Sequence, residues 1–373
     1  MASVRICDAL LPALASEFST TPGGAARVIS AFALTYGLLQ LLYGPLGDRH
    51  GKVRVIGFAT LACTVGNVAA ALSSSLDGLV ASRVVSGAAA AGIIPLTMAW
   101  IGDNVPYEGR QEVLARFLGA TLLGMISGQW IGGLIADMFG WRTAFAALAT
   151  LFLVSGVMLT RQTARLAPPA PGPAVGAGRR AWQVLAIPWA RAVLLITVIE
   201  GALVFGALAF IPNHLHARFG MSMPRAGAVV ALYGVGGFIY SRGARVLVRR
   251  LGEPGLARLG GICMALAFAT IGWAPTWHLA LPACLLTGFG FYSLHNTLQT
   301  HATQMAPEVR GSAVSLFACL LFIGQSLGVV VDAWFVDRIA ASSIFVFSAL
   351  GLLLLGAAFA TLIKRHARRP KVT

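Results

Sequence analysis

Long apolar runs, repeated along almost the whole chain, are the feature that most limits what this sequence can fold into. Only 11% of its 373 residues are charged, whereas a soluble protein carries about 25%, and the charges gather between the runs. A helix needs roughly 20 predominantly apolar residues to cross a bilayer. We therefore predict an all-α membrane protein with many spans. The predicted spans lie at about 1–15, 27–46, 53–73, 77–101, 117–137, 141–160, 191–212, 225–241, 256–274, 277–300, 312–333 and 341–363.

The first of these twelve segments is shorter than the others. About fifteen residues precede the polar stretch that follows it, fewer than the ~20 residues of a full span. Arg5 consequently falls well inside the segment. We expect the first helix to be truncated, either because the start is assigned too late or because the protein lacks its first residues.

A segment rich in proline, glycine and arginine divides the chain into six apolar segments on each side. Its sequence, RQTARLAPPAPGPAVGAGRRAW, has the composition of a flexible linker. We predict an N-terminal six-helix bundle at 1–160, a linker at 161–190, a C-terminal six-helix bundle at 191–363 and a basic tail at 364–373.

The two halves repeat short sequence patterns in the same order. GPLGDR (44–49) corresponds to GFIYSR (237–242), PYEGR (106–110) to PEVR (307–310), and GQWIG (128–132) to GQSLG (324–328). The three separations are all about 195–200 residues. Two halves in the same orientation are typical of transporters built from parallel repeats.

The net charge of +15 has two candidate origins, nucleic-acid binding or orientation in a membrane. If the N-terminus is cytoplasmic and every segment spans, 21 of the 28 lysines and arginines lie on the cytoplasmic side and five on outer loops. Positive residues concentrate on the cytoplasmic side of membrane proteins. We therefore expect a multi-pass protein of the plasma membrane (the bacterial inner membrane) with no nucleic-acid partner. Both termini, the linker and the tail are then cytoplasmic.

Residue patterns for metal binding and catalysis are missing or out of context. The five cysteines stand singly, without CxxC spacing, so we expect no disulfide framework and no metal site. GQSLG matches the GxSxG pattern of hydrolases, but that pattern requires a strand–turn–helix context and here falls in a predicted span. Because no HExxH pair is present either, we predict a protein that is not an enzyme and has no cofactor.

The charged stretch YGPLGDRHGKVRV (43–55) resembles the G-x-L-x-D-R-x-G-R/K signature of the major facilitator superfamily. Arg83 and Gly87 match a second signature of that family in helix 4, and a third, in helix 5, is matched except that Gln129 replaces its proline. The residues that carry the first and third are Gly44, Leu46, Asp48, Arg49, Gly51 and Lys52, and Gly124, Gly128, Gln129, Gly132 and Gly133. The resemblance covers nearly the whole chain and is closest to drug:proton antiporters and metabolite exporters. It implies the major facilitator fold, two six-helix bundles in parallel pseudo-repeat.

The resemblance also implies that the charged stretch, including Arg49 and Lys52, is a conformational gate on the cytoplasmic side. Gly44 and Gly51 allow a tight reversal, and Asp48 near the start of a neighbouring helix gains ~0.3–1 kcal/mol from the helix dipole. The alternative is that these charges only orient the protein, which suits Arg54 but does not explain Asp48, since acids contribute little to orientation. Ser241 takes the place of Asp48 in the second half, so we expect the acid of the gate in the first half alone.

Three glycines of the helix 5 signature, at 124, 128 and 132, recur every four residues and form one stripe. Small residues in such a stripe let helices approach closely in a bilayer. Static packing and a sliding contact between moving helices both fit this stripe. The resemblance to the family favours the sliding contact.

Polar residues inside the predicted spans need a reason, because an ionisable one costs about 2.5–3.5 kcal/mol on insertion scales. In the family's fold, helices 1, 4, 7 and 10 line a central cavity. The resemblance places every candidate for proton or substrate binding on those four helices: Asp8, Arg83, Glu200, His295, Asn296 and Gln299.

Among these candidates, Glu200 lies near the predicted midplane, where a desolvated carboxyl group keeps its proton until a cation or water arrives. Asp8 and Arg83 lie at similar depths, so they are placed to pair. Four of the six polar residues also have a simpler interpretation. Arg83 can reach the surface with its long side chain, His295 can be an ordinary hydrogen-bonded histidine, and Asn296 and Gln299 can hold helices together.

Taken with the resemblance, these residues predict a secondary active transporter that works by alternating access. We expect it to export a small drug-like or lipophilic molecule, driven by the proton gradient, and to act as a monomer in the lipid bilayer. Its partners are then the substrate and protons. Export of a sugar, an amino acid or another metabolite is the alternative. A non-transporting membrane sensor or scaffold, supported by the short first helix, is a more distant one.

Overall fold

The computed structural model describes residues 1–163 and 177–368, and these residues are almost entirely helical. The N-terminal half starts with α1 (Ala2–Arg5), a 3₁₀ turn (Ile6–Ala9), α2 (Leu11–Glu17) and α3 (Pro22–Ala25). It continues with α4 (Arg27–His50), α5 (Lys52–Ala71), α6 (Leu76–Ala90), α7 (Ile93–Asn104), α8 (Tyr107–Phe139) and α9 (Trp141–Thr163). The C-terminal half consists of α10 (Ala177–Ala186), α11 (Pro188–Phe219), α12 (Met223–Trp273), α13 (Ala280–Gln304), α14 (Arg310–Arg338) and α15 (Ala341–Ala367).

The prediction of an all-α protein with many membrane spans is confirmed. Within the described residues, nine helical stretches are long and apolar enough to cross a membrane. The eighth and ninth predicted spans lie in the single long helix α12, which is broken at Gly252 by backbone angles of φ 62° and ψ 176°. The fourth predicted span is divided into α6 and α7, and the first into its short pieces.

One prediction about the linker needs correction. Residues 161–190 were expected to lack regular structure, but helix α10 occupies 177–186. This helix is amphipathic, with Val184 fully buried and Trp182 exposed, so it gains from packing one face on the protein. The centre of the predicted linker (164–176) and the end of the predicted tail (369–373) lie outside the described residues.

The long helices run back and forth between two ends of the molecule. The linker end carries the end of α9 and the turn between α4 and α5, and the far end carries the α8–α9 and α11–α12 turns at Gly140 and Gly220. The α4–α5 turn consists of Gly51 alone, at φ 91°, a conformation that favours glycine. The reversal expected to involve Gly44 is therefore wrong for that residue, because Gly44 lies inside α4.

The two halves meet along α4 with α14 and along α8 with α12. At the far end, Asp337 of α14 accepts hydrogen bonds from Thr21 and from the backbone of Gly23. Further along the same pair, the Ser326 hydroxyl donates to the Ser30 carbonyl at 2.9 Å. In the middle of α4, a Cβ on Gly37 would lie 2.9 Å from the carbonyl oxygen of α14 residue 319. The far end of the molecule is thus closed by contacts between the halves.

Candidate functional site

A buried pair of side chains joins α11 to α13 near the middle of the C-terminal half. Glu200 of α11 is fully buried, and its Oε2 lies 2.8 Å from Nδ1 of His295 on α13. Its other oxygen, Oε1, is buried with no hydrogen-bond partner among the described residues. Two residues that the sequence placed separately in the cavity are therefore one Glu–His pair, with one carboxylate oxygen still available.

Aromatic rings surround this pair. The His295 imidazole stacks on Phe291 at 4.7 Å and lies 5.2 Å from the Phe317 ring. Phe205 of α11 and Tyr233 of α12 contact Phe291 in turn, at 5.1 and 5.7 Å between ring centroids. The site therefore combines one ionisable pair with a largely apolar, aromatic wall, a combination that suits an organic ligand.

A second buried ion pair belongs to the first span. Arg5 Nη1 lies 3.2 Å from Asp8 Oδ2, and both side chains are buried. The α8 residue Gln129 donates to the same oxygen from 3.4 Å. The Arg5 guanidinium also lies over the Phe205 ring, 4.5 Å from its centroid, so this cation links the two halves next to the aromatic wall.

Arg83 does not pair with Asp8, contrary to expectation. It donates instead to the carbonyl and hydroxyl oxygens of Ser3, at 2.5 and 3.3 Å, and lies over the Phe32 ring at 4.2 Å. The alternative that Arg83 reaches the surface is also wrong, since the residue is fully buried. Arg5, three residues from Asp8, occupies the position that Arg83 was expected to take.

The remaining polar candidates on α13 have less central positions. Asn296 is half-buried and hydrogen-bonds the Tyr240 side chain, which agrees with its simpler interpretation as a link between helices. Gln299 is exposed. Within residues 1–163 and 177–368, no three histidine, cysteine or acidic side chains converge on a metal site.

The proposed gate residues occupy the last turns of α4 and the start of α5. Asp48 lies 3.4 Å from Lys52, and Lys52 donates to Asp103 of α7 at 2.5 Å. Asp48 and Arg49 are exposed, and no described atom lies within 4 Å of a Cβ placed on Gly44. All these named contacts remain within the N-terminal half.

The glycine stripe of α8 packs inside its own half. A Cβ on Gly128 would lie 2.5 Å from the Ala2 carbonyl, and one on Gly132 would lie 2.8 Å from the Ile6 side chain. Gly124 faces the first residue of the chain. The stripe therefore packs against the first span, and whether that contact slides during transport stays a prediction. The contact of α8 with the C-terminal half involves the Gln129 carbonyl and, at the far end, Gly133 beside Met223.

Sequence reasoning missed two acidic residues of α14. Asp332 is a buried carboxylate, and its signal was present, because it is an ionisable residue inside the apolar segment 312–333. Asp337, which closes the far end, lies in the last turn of α14, after the predicted span at 312–333, and has no comparable signal. Its role depends on how the halves meet.

Comparison with known proteins identifies relatives of this sequence and fold. A model of the Major Facilitator Superfamily matches residues 1–329. The inner membrane transport protein YnfM of Escherichia coli (strain K12) is 22% identical over 352 residues, which cover 92% of this chain and 83% of YnfM. The multidrug export protein EmrB of the same organism is 29% identical over 160 residues, 43% of this chain and 31% of EmrB. The crystal structure of the nucleoside transporter NupG has a TM-score of 0.74 at 14% identity, with 97% of each chain covered.

Proposed function

The chain belongs to the major facilitator superfamily, and we propose that it exports a small organic molecule in exchange for protons. It is a multi-pass membrane transporter of a small-molecule substrate rather than an enzyme. The proposal adds the direction, the coupling ion and the class of substrate. The transporter works as a monomer in the bacterial inner membrane and uses the proton gradient, without a cofactor.

The buried Glu200–His295 pair is the observation that carries the proposal. A carboxyl group without water must be paired or protonated, and here one oxygen contacts His295 while the other has no partner among the described residues. A proton and a substrate cation therefore compete for the same group. Competition of this kind couples the movement of one to the movement of the other.

Charge distribution supports an orientation for the molecule. The linker end carries most of the lysines and arginines, and membrane proteins keep such residues on the cytoplasmic side. The far end, closed by Asp337, is then the outer end. In this proposal the present state opens toward the cytoplasm, and Arg49 and Asp48, which here contacts Lys52, form a gate when the inner end closes.

Export is supported by two features, one of sequence and one of similarity. Part of the chain is similar to EmrB, which is a multidrug export protein. The helix 5 glycines resemble the signature of the antiporter branch. The aromatic wall beside Glu200 favours a lipophilic substrate with a cationic group.

A second candidate substrate class is an anionic metabolite. Two buried arginines, Arg5 and Arg83, face one buried aspartate, Asp8, in the N-terminal half. The Nε atoms of both arginines are buried without a hydrogen-bond partner among the residues described. This excess of buried positive charge favours a substrate with a carboxylate or phosphate group.

The test is collapse of a preset pH gradient in inside-out vesicles, using a panel of lipophilic cations, organic anions, sugars and amino acids. We expect some compounds to release protons with the wild-type protein and none to do so with Glu200→Gln. Glu253→Gln is the matched control, since Glu253 forms a Glu–His pair at 3.2 Å with His301, which also lies on α13, but the Glu253 side chain is 45% exposed.

Three results would contradict the proposal in different ways. Equal proton release with wild-type protein and Glu200→Gln would remove Glu200 from coupling. Uptake of compounds without proton release would leave a transporter with another coupling ion or none. Response to organic anions alone would favour the second substrate class over the first.

A further inference from the structure

A carboxylate outside the Glu200 site is buried between α11 and α14. Asp332 of α14 is 3% exposed, and its Oδ2 has no hydrogen-bond partner in the described part of the chain. A Cβ added to Gly206 of α11 would lie 2.5 Å from this oxygen. Because Gly206 has no side chain, the Asp332 carboxylate fits against α11 at this position.

Close packing of the two helices makes this burial tight. Gly328 and Gly324 lie one and two turns before Asp332 on the same side of α14, and each packs directly on the backbone of α11. Helices that approach this closely leave little room for water beside a side chain at the end of the row. Asp332 thus continues a row of glycines but adds a group that normally requires solvation.

Asp332 also has no ionic partner among the residues that the structure describes. The ionisable side chains that flank it on α11, α14 and α4 contact other groups: Glu200 contacts His295, His214 the Ile271 carbonyl, Asp337 Thr21, Arg338 the Trp334 ring and Arg27 Asp77. An ionised carboxylate in this position would be buried and uncompensated, at a cost of several kcal/mol. Its persistence in a membrane helix indicates a function rather than a packing role.

We propose that Asp332 is a second proton-binding carboxyl group of this transporter, separate from Glu200. A proton is the occupant that the space allows, because metal cations such as Mg²⁺ or Ca²⁺ take six or more oxygen ligands and no three histidine, cysteine or acidic side chains of the described residues converge here. The step is a simple ionisation, in which the carboxylic acid of Asp332 gives its proton to water and becomes a carboxylate.

The position of Asp332 indicates which side exchanges this proton. Asp332 is level with Gly206, six residues after Glu200 on α11, and so lies ~9 Å from Glu200 toward the far end. The next residue of α14, Ala333, has its carbonyl 2.5 Å from a Cβ placed on Gly23, in the contact that closes that end. Opening of the far end frees this part of α14, so Asp332 exchanges its proton with water there. The role of this proton in transport rests on the proposed proton coupling. Proton binding to Asp332 does not depend on it.

Infrared difference spectroscopy of the purified protein tests the assignment without a substrate. The protein is titrated with acid and base, and the C=O stretching band of protonated carboxyl groups is followed. We expect Asp332→Asn to lose one titrating band that Glu200→Gln retains, and Glu200→Gln to lose another. Asp77→Asn, which changes an exposed carboxylate, is the control and should leave both bands.

The outcomes separate this proposal from the proposed function. If the spectra of Asp332→Asn and wild-type protein superimpose throughout the titration, the second proton site is refuted, whatever Glu200 does. If Glu200→Gln loses no band while Asp332→Asn does, the second site stands and the proposed role of Glu200 fails. Gly206→Ala keeps Asp332 but places a methyl group against Oδ2, so a shift of the Asp332 band alone would support the proposal even if Asp332→Asn does not fold.

Discussion

Asp337 provides the contact that can be broken most cleanly between the halves, and Asp337→Ala should open the far end. Its carboxylate accepts hydrogen bonds from the Thr21 hydroxyl at 2.6 Å and from the Gly23 amide at 3.0 Å. A hydrogen bond to a charged group contributes about 1.5–3 kcal/mol when buried, but this one is largely exposed, so ~0.5–1.5 kcal/mol for each bond is appropriate. Loss of both therefore shifts the open-to-closed ratio by about 5- to 150-fold.

Distances between spin labels at the far end measure this ratio. Phe139 at the end of α8 and Ile339 after α14 are both exposed, one in each half, and each can be replaced by a labelled cysteine. The five native cysteines are buried and can be replaced by alanine. In pulsed electron–electron double resonance, the population at longer label-to-label distances should be larger in Asp337→Ala than in wild-type protein. The increase should be smaller in Asp337→Asn, which retains one acceptor oxygen.

A matched control is available at the same end of the molecule. Asp77→Asn breaks the 2.9 Å ion pair with Arg27, which lies wholly within the N-terminal half, so the distance distribution should not change. An unchanged distribution in Asp337→Ala would refute the conclusion that this carboxylate holds the far end closed. An equal change in both variants would mean that general loss of stability, not the contact between halves, controls the opening.

Three further predictions concern other parts of the molecule. Asp48→Asn should slow transport in the vesicle assay yet leave the melting temperature unchanged, because exposed ion pairs contribute only ~0–1 kcal/mol; a large loss of stability would contradict this. Gly260→Ala should lower the free energy of unfolding by about 1–3 kcal/mol, because the added Cβ would lie 2.6 Å from a carbonyl oxygen of α13. Gly102→Ala is the control and should not lower it, because the space around Gly102 is open. The hydrogen bond from Trp141 holds the pKa of Glu17 below its ordinary value, so the contact is complete at neutral pH and is lost as the pH falls through that lowered pKa. Tryptophan fluorescence should therefore change below the usual glutamate range, and Glu17→Gln should abolish the change.

The spans could be predicted from sequence because bilayer thickness and apolar length determine them almost alone. The segment predicted at 312–333 is the centre of α14 (Arg310–Arg338), and the one at 191–212 lies within α11 (Pro188–Phe219). The ends of the helices were harder to predict from the sequence. α4 continues through the charged stretch to His50 because a single glycine suffices for the turn.

Side-chain partners could not be predicted in the same way, because they depend on how each helix is rotated about its axis. Glu200 and His295 are 95 residues apart, and no local pattern joins them. Asp8 pairs with Arg5 rather than Arg83 because the first span is broken into short pieces, which brings two residues of one segment together. The Thr21–Asp337 contact depends on the closed arrangement of the halves and has no trace in either local sequence.

One consequence follows from the single-residue turn at Gly51. Helix α4 has 24 residues, with Pro45 near its end, and is therefore ~36 Å long; it begins near Gly23 at the far end and ends at His50 at the linker end. It rests against α14 near its middle, at Gly37, and Gly51 leaves no slack between it and α5. We expect α4 to act as a lever that pivots at this contact with α14. When its start moves away from α14 at the far end, we expect its other end to move toward the opposite half, so that opening of one entrance begins to close the other.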